Sequence, residues 1–475
     1  MGSSMLYRNS QTIRHIVKKN GHLPVATILF AAIASLLAAS PAAQACNIYF
    51  VSVNNGNDTN AGTFAKPWKT IAKAAAQNLH PCDTIYVRAG TYKEHSLFFS
   101  GSGTATQPIT ISAYPGETPV LNGTGLNLGQ WTEFFSLTGS YITLNGFTLY
   151  NGGVGVETDG PYTTVSNMNI SYTLQQGIIA KGDYTVIKNN IVSYASQYFL
   201  SNKSSGWANG IDVCCDPVDG VTSNAILQGN TVFATAGEGI ITDQANGTIF
   251  DSNIVYDNWA TNTYICDSQN VIFRNNLVYT TTLSDTLWGR RAPLLSLADE
   301  VASVPRSANN VVINNMFLTG EGVVAVSAFS WTEVTGSGLT SALIANNTLV
   351  NGEIDTGPIN TASHIENNIV YRNDGGVMGS VPTGAGLTFS NNLWYPTRPS
   401  NATGAGDVIA NPKLALTGTV GPGKVATGYF AVPSSSPAKG KGAAIYYVTG
   451  DYLISSSTAP NIGAYTTNPP ISYLK

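Results

Sequence analysis

Charge is scarce in this 475-residue chain: Asp, Glu, Lys and Arg make up 11% of it, as 23 basic and 27 acidic side chains. Four of the basic ones (Arg8, Arg14, Lys18 and Lys19) fall within the first 45 residues, so 19 basic groups face 27 acidic ones in the remainder. A net negative chain without a basic patch lacks what a phosphate backbone demands, which argues against a nucleic-acid partner. Long apolar runs are missing too. The longest, from Leu23 to about Leu37, falls short of the ~20 residues a spanning helix needs, so no membrane span is expected. Histidine is nearly absent beyond residue 45, where only His80, His95 and His364 remain, none of them between glycines. The five cysteines show no CxxC spacing, which leaves zinc without its usual ligand pattern. Helical periodicity is absent from the middle of the chain, and helical solenoids are excluded with it.

What the chain has is glycine (48 residues) and a polar-pair motif that repeats. IKNNIV, LQGNTVF, FDSNIVY, FRNNLVY, INNMFL, ANNTLV, ENNIVY and SNNLWY place their second polar residue at Asn190, Asn230, Asn253, Asn276, Asn315, Asn347, Asn368 and Asn392. The intervals are 40, 23, 23, 39, 32, 21 and 24, with Gly146 and Met168 in the same column upstream. Short runs rich in Val, Ile, Tyr and Phe, broken by Gly, Asn and Asp, read as strands. About 22 residues hold two or three such strands and their turns. Stacking them at ~4.8 Å gives a parallel β-helix. Propeller repeats are about twice as long. The asparagine column is expected to be structural, with amides hydrogen-bonding along the stack. Two places before the rungs, Asp251 and Arg274 fall on successive coils as a surface ion pair.

The first 45 residues run basic, apolar, then Ala43-Gln44-Ala45, the order of a signal peptide. A mature protein starting at Cys46 outside the cytoplasm, secreted or periplasmic, is therefore expected. Solenoids hide their open ends. Trp68, Ile71, Ala72, Ala75 and Leu79 share one helical face after Pro67, which predicts a capping helix over residues 66–79. The strands CNIYFV and CDTIYV start in register, making Cys46 and Cys82 the expected disulfide; Cys214, Cys215 and Cys266 remain, one of them unpaired. Spacing alone does not fix the pairing.

The opening, YFVSVNNGNDTNAGTFAKPWKTIAKA followed by CDTIYVRAGTYKEH and PITISAYPGETPVLNG, resembles that of extracellular right-handed β-helix proteins of the pectate-lyase-like superfamily. NPKL, YFAVPSSSPAKGKG and APNIGAY are similar to the segment that closes many such chains. The resemblance implies an all-β chain: a signal peptide over residues 1–45, one right-handed parallel β-helix with an N-terminal cap over 46–410, and a closing segment over 411–475. Members include lyases, hydrolases, epimerases and proteins without known activity, and fold alone does not choose among them. No Gly-His-Gly segment of a polygalacturonase is present. VPRSANN around Arg306 does not match the Arg-x-Pro-x-x-Arg of one lyase group. NGIDVCCDPVDG has the aspartates of another lyase group, but not its lysine.

Against a period of 23, the intervals of 40, 39 and 32 carry about 17, 16 and 9 extra residues, which a solenoid extrudes as loops. The first insertion contains Tyr198, Lys203, Trp207, Asp212, Asp216 and Asp219. The second contains Trp288, Arg290, Arg291, Asp299, Glu300 and Arg306. Two uninterrupted coils between them carry Glu238, Asp243, Asp257, Trp259, Tyr264 and Asp267. If both loops leave the same side, they wall a cleft suited to a polysaccharide. Trp207, Trp259, Tyr264, Trp288 and Lys203 are the expected sugar contacts. Glu238, Asp243, Arg290 and Arg291 are the expected catalytic groups, and Asp212 with Asp216 would hold calcium if one is used. The residues point first to a lyase acting on an acidic, uronic-acid-containing polysaccharide by β-elimination. A glycoside hydrolase using paired carboxylates and a non-catalytic glycan-binding surface protein stay open beside it.

Overall fold

The computed structural model describes residues 45–475, apart from 202–205, 301–306, 320–322, 331–338, 358–359, 384–385, 427, 457–458, 465–470 and 475. Short strands alternate apolar and polar residues and return in sequence order to three parallel sheets, two of 13 strands and one of ten. The first sheet runs from Ile48–Val51 to Leu387–Ser390, and the second from Gly90–Tyr92 to Val408–Ile409. The ten-stranded third sheet runs from Leu97–Phe99 to Glu353–Asp355. Each full coil gives one strand to each sheet, which is a right-handed parallel β-helix.

The core follows from register. On the first sheet Val165 pairs with Ile187, Ile187 with Leu227, Leu227 with Phe250, and Phe250 with Phe273, so like side chains stack along the axis. All are buried in one continuous cluster. Burying each such side chain contributes about 1.5–3 kcal/mol.

The corner between the first and second sheets carries the asparagine column. The backbone N–H and the Nδ2 of Asn253 both donate to Asn276 Oδ1, at 2.9 and 3.1 Å. The second Nδ2 hydrogen goes to Leu227 O at 2.9 Å. The same three bonds recur at Asn190, Asn230, Asn276, Asn315, Asn347 and Asn368. Met168 N caps one end on Asn190 Oδ1 (2.9 Å), and Asp407 Oδ1 ends the other by accepting Asn392 N (2.9 Å). The left-handed backbone at this corner belongs to the residue before each rung: Asn189, Gly229, Ser252, Asn275, Asn314, Asn346, Asn367 and Asn391. Turning and laddering are thus divided between the two polar residues of the motif. Arg274 reaches Asp251 at 2.9 Å, as the spacing predicts.

In place of a helix over 66–79 there is only the five-residue α1 (Ile71–Ala75), which buries Ile71 and Ala74. The segment before it is held irregularly. Trp68 bridges to Val51 and stacks on Tyr49 at 4.8 Å, and Asp58 takes the amides of Lys69 and Thr70. Cys46 is bonded to Cys82 and Cys214 to Cys215, leaving Cys266 free and buried. Beyond residue 411 the chain returns along the outside of the second sheet, where Leu414, Phe430, Ala438 and Ile462 pack on Tyr256, Tyr279, Val350 and Ile369. No helix among the described residues is long and apolar enough to cross a membrane.

Candidate functional site

The outer face of the ten-stranded sheet is the least regular surface of the solenoid. Its relevant strands are β1 (Ile178–Ala180), β2 (Ile211–Cys214), β3 (Ile240–Asp243), β4 (Thr263–Cys266) and β5 (Leu295–Asp299). A glycine stands at the start of several of these coils: Gly155, Gly177, Gly210 and Gly239 lie one above another. A Cβ on Gly155 would meet Gly177 O at 2.2 Å, and one on Gly210 would meet Gly239 O at 2.5 Å. Only glycine fits this crowded corner. The backbone of the residue before each glycine joins the stack, with Gly155 N donating to Gln176 O (3.1 Å), Gly177 N to Asn209 O (3.3 Å) and Gly210 N to Glu238 O (2.9 Å). Gln176, Asn209 and Glu238 are therefore successive members of one column. Register aligns Ile179, Asp212, Ile241 and Tyr264 in the next outward column, and Cys214, Asp243 and Cys266 in a third.

The loops roof this face, and burial sets its electrostatics. Burial pushes the Glu238 carboxyl up to about 7; Asp212 and Glu300 add repulsion, and a hydrogen bond from Trp207 pulls back. Asp243 is pushed up to about 6, again mainly by burial and then by Asp212, Asp267 and Glu300. Asp212 is raised by burial against the hydrogen bonds from Asn209 Nδ2 (2.9 Å) and Gln176 Nε2 (3.4 Å) and the field of Lys181. Its Oδ1, together with Gln176 Oε1 and Asn209 Oδ1, is buried without a hydrogen-bond partner. Lys181 is itself held by Glu157 and Asp159.

Both insertions split around their third-sheet strand, and both send their first part out of the same corner. The first supplies α2 (Gln197–Ser201) and Trp207; the second supplies α3 (Thr282–Trp288) and Arg290. They do not leave an open cleft between two walls, because Trp259 on the floor bridges them. Trp207 meets Trp259 at 5.0 Å, Phe199 meets Trp259 at 4.8 Å, and the Arg290 guanidinium lies 5.8 Å from the same ring. Trp207, Trp259 and Arg290 come together beside Glu238, whereas Asp243 lies at the far end of β3, next to Cys266 and Asp267. Other expected members lie elsewhere. Arg291 is tied to Asp285 at 2.7 Å, within its own loop. Trp288 packs its indole N–H onto Asp257 O at 2.9 Å, fixing α3 to the coil. Tyr264 is buried with its hydroxyl on Glu300, so it offers no open ring face to a sugar. Lys203 and Arg306 fall outside the described residues.

Asp216 does not join Asp212. It holds the turn amides of Val218 (2.7 Å) and Asp219 (3.3 Å). The unpartnered oxygens of Gln176, Asn209 and Asp212 are instead the all-oxygen set that suits a hard cation such as calcium. Among the described residues the acidic and thiol groups close enough to share an ion are Asp243, Cys266 and Asp267. That trio does not suit calcium, because burial and neighbouring carboxylates push the Cys266 thiol up and keep it neutral. Gln176, Asn209 and Phe199 were missed in the sequence. The signal for the first two is the recurring polar-Gly-Ile of QQGIIA, ANGIDV and GEGIIT, which is visible once the asparagine repeat is set aside.

Stacked coils and a ladder corner define a right-handed parallel β-helix protein. Residues 49–276 match the family described as Pel9A-like, right handed beta helix region. Among solved structures, pectate lyase Pel9A superposes with a TM-score of 0.52 at 18% identity, over 89% of this chain and 96% of that one. The alginate lyase of Paenibacillus sp. str. FPU-7 gives 0.50 at 20% identity, over 61% and 95%. Pectate lyase PEL9 of Emericella nidulans is 38% identical over 84 residues, 18% of this chain and 20% of that protein. YwoF of Bacillus subtilis (strain 168) is 32% identical over 105 residues, 22% of each chain. The chain thus spans about a fifth of the length of these two relatives.

Proposed function

We propose that this protein is a secreted enzyme, its residues 1–45 a cleaved leader, that cuts an acidic polysaccharide by β-elimination on the outer face of β2, β3 and β4. The observation that carries the reading is Glu238, a buried carboxyl hydrogen-bonded to the half-exposed Trp207 and pushed up to about 7 by its burial. A carboxyl whose affinity lies near the working pH can both accept and return a proton. Elimination from a uronate then runs in one sense. Glu238, once ionised, takes the C5 proton, the C5–H electron pair becomes the C4–C5 double bond, and the bond from C4 to the bridging oxygen breaks as the same carboxyl returns the proton to that oxygen. A calcium ion on Gln176, Asn209 and Asp212 would supply positive charge for the uronate carboxylate. The relatives named as pectate and alginate lyases support an acidic substrate.

Hydrolysis is a second reading, favoured by Cys214 in the segment where the resembled lyase group carries its lysine. Glu238 would then protonate the bridging oxygen, while Asp212, the carboxylate acting on it from the preceding coil, activated water. The test is to incubate the mature protein with acidic and neutral polysaccharides, with and without calcium, following unsaturated-product absorbance and new reducing ends together. Both signals rising is the expected result. Reducing ends alone establish hydrolysis, and neither signal on any polymer overturns the enzyme reading in favour of a glycan-binding protein.

A further inference from the structure

We infer that Trp207 and Arg290 form an anionic-sugar subsite on the insertion side of Glu238, with Arg290 the residue that admits a carboxylate or sulfate ester and disfavours neutral glycans. The inference rests on the polysaccharide reading above and adds which residue reads the charge.

The sequence spends a whole element on delivering this arginine. Thr281 caps α3 by accepting Leu283 N, and Asp257 anchors that cap through Thr281 N and Oγ1, both at 2.6 Å. Trp288 pins the far end to the coil, and Gly289, left-handed at φ 65°, stops the helix one residue before Arg290. The Arg290 carbonyl is then fixed by Ser284 Oγ at 2.9 Å. Of the two adjacent arginines, Arg291 is occupied by Asp285 in a two-pronged pair. Arg290 makes no ion pair among the described residues, is exposed, and lies over Trp259. A guanidinium pre-oriented on a ring keeps its N–H fork for a planar or tetrahedral oxyanion.

Trp259 touches Trp207, which is 46% exposed and hydrogen-bonded to Glu238. An open indole and an unpaired guanidinium, both resting on Trp259, take a sugar ring by its C–H face and its acidic substituent by the fork. Asp212 and Glu300 act on both Glu238 and Asp243, so the neighbouring surface is carboxylate-rich and Arg290 offers an anionic unit a positive charge beside it.

Binding of the full mature protein to polygalacturonate, alginate and neutral galactan is measured by affinity electrophoresis and calorimetry, for the unaltered protein, Arg290→Gln and Arg290→Lys. Arg290→Gln is expected to weaken binding to the polymer that is recognised by about tenfold. Arg290→Lys should recover part of the loss, galactan binding should stay unchanged, and melting temperatures should stay equal across the three proteins. Added salt should weaken the acidic complex of the unaltered protein more than that of Arg290→Gln. Equal losses on acidic and neutral polymers, no loss on either, or no binding of any acidic polymer overturns the inference. Arg290-dependent binding without cleavage leaves this subsite standing and sinks the enzyme reading. Cleavage that ignores Arg290 does the reverse.

Discussion

Each coil turns two corners with polar residues, and the two corners behave oppositely. At the asparagine corner the residue type is constant from Asn190 to Asn392, every amide is satisfied, and Asp407 closes the series. At the glycine corner the side chains change from coil to coil, through Gln176, Asn209 and Glu238, and two of the three keep a buried acceptor without a partner. Repetition with full satisfaction is how a solenoid stabilises itself, since each rung repeats the same local solution. Variation with unmet hydrogen bonds costs stability, and a fold keeps it where something else gains.

The sharpest way to break this contrast is to damage the ladder. Asn276→Leu strands two donors of Asn253 and the Phe250 carbonyl, and should cost about 4 kcal/mol or more, read as a large fall in denaturation midpoint or as failure to fold. A variant that melts like the parent would refute the structural assignment of that corner. At the other corner Glu238→Gln should do the opposite to stability while removing activity. The folded carboxyl sits near 7 against 4.5 for the free group, so it weakens folding as pH rises from 4.5 through 7. The glutamine variant should therefore gain up to about 3 kcal/mol at alkaline pH and nothing in acid, with turnover down about a hundredfold. Turnover of the parent should rise as pH climbs through about 7, when Glu238 loses its proton and can act as the base. Asp251→Asn, at a pair with Arg274 that is largely buried rather than on the surface as its spacing suggests, should cost about 1–3 kcal/mol, most of it still present in a melt at high salt. A smaller effect separates the cation reading: calcium should raise the parent's melting temperature by about 2–4 °C and leave Asp212→Asn unmoved.

The ladder was legible in the sequence because one amide must match the next, which forces an identical residue at nearly constant spacing. The site was legible only in part, and the reason is the same physics reversed. Glu238 and Asp243 stood out as acids on uninterrupted coils, and Trp207, Trp259 and Arg290 as aromatic and basic residues on or beside insertions. Gln176 and Asn209 carry no charge, and their column is announced only by the glycine that follows. Asp216 looked equivalent to Asp212 because both are aspartates in one segment. One lies on a strand and the other in a turn, and composition does not separate them. Arg290 and Arg291 were indistinguishable for the same reason until α3 gave one of them a partner.

The chain that returns beyond residue 411 changes how this molecule would answer a pull. Tyr447 bonds to Ser341, Thr449 to Asn309, and Gly450 N to Asn270 Oδ1 at 3.2 Å across 180 residues of sequence. In a bare stack, tension at the C-terminus would unwind coils one at a time at low, even force. Here the load reaches the returning strand first and must shear its contacts with several coils at once. The extension trace should therefore open with a single tall peak, followed by a train of small regular ones.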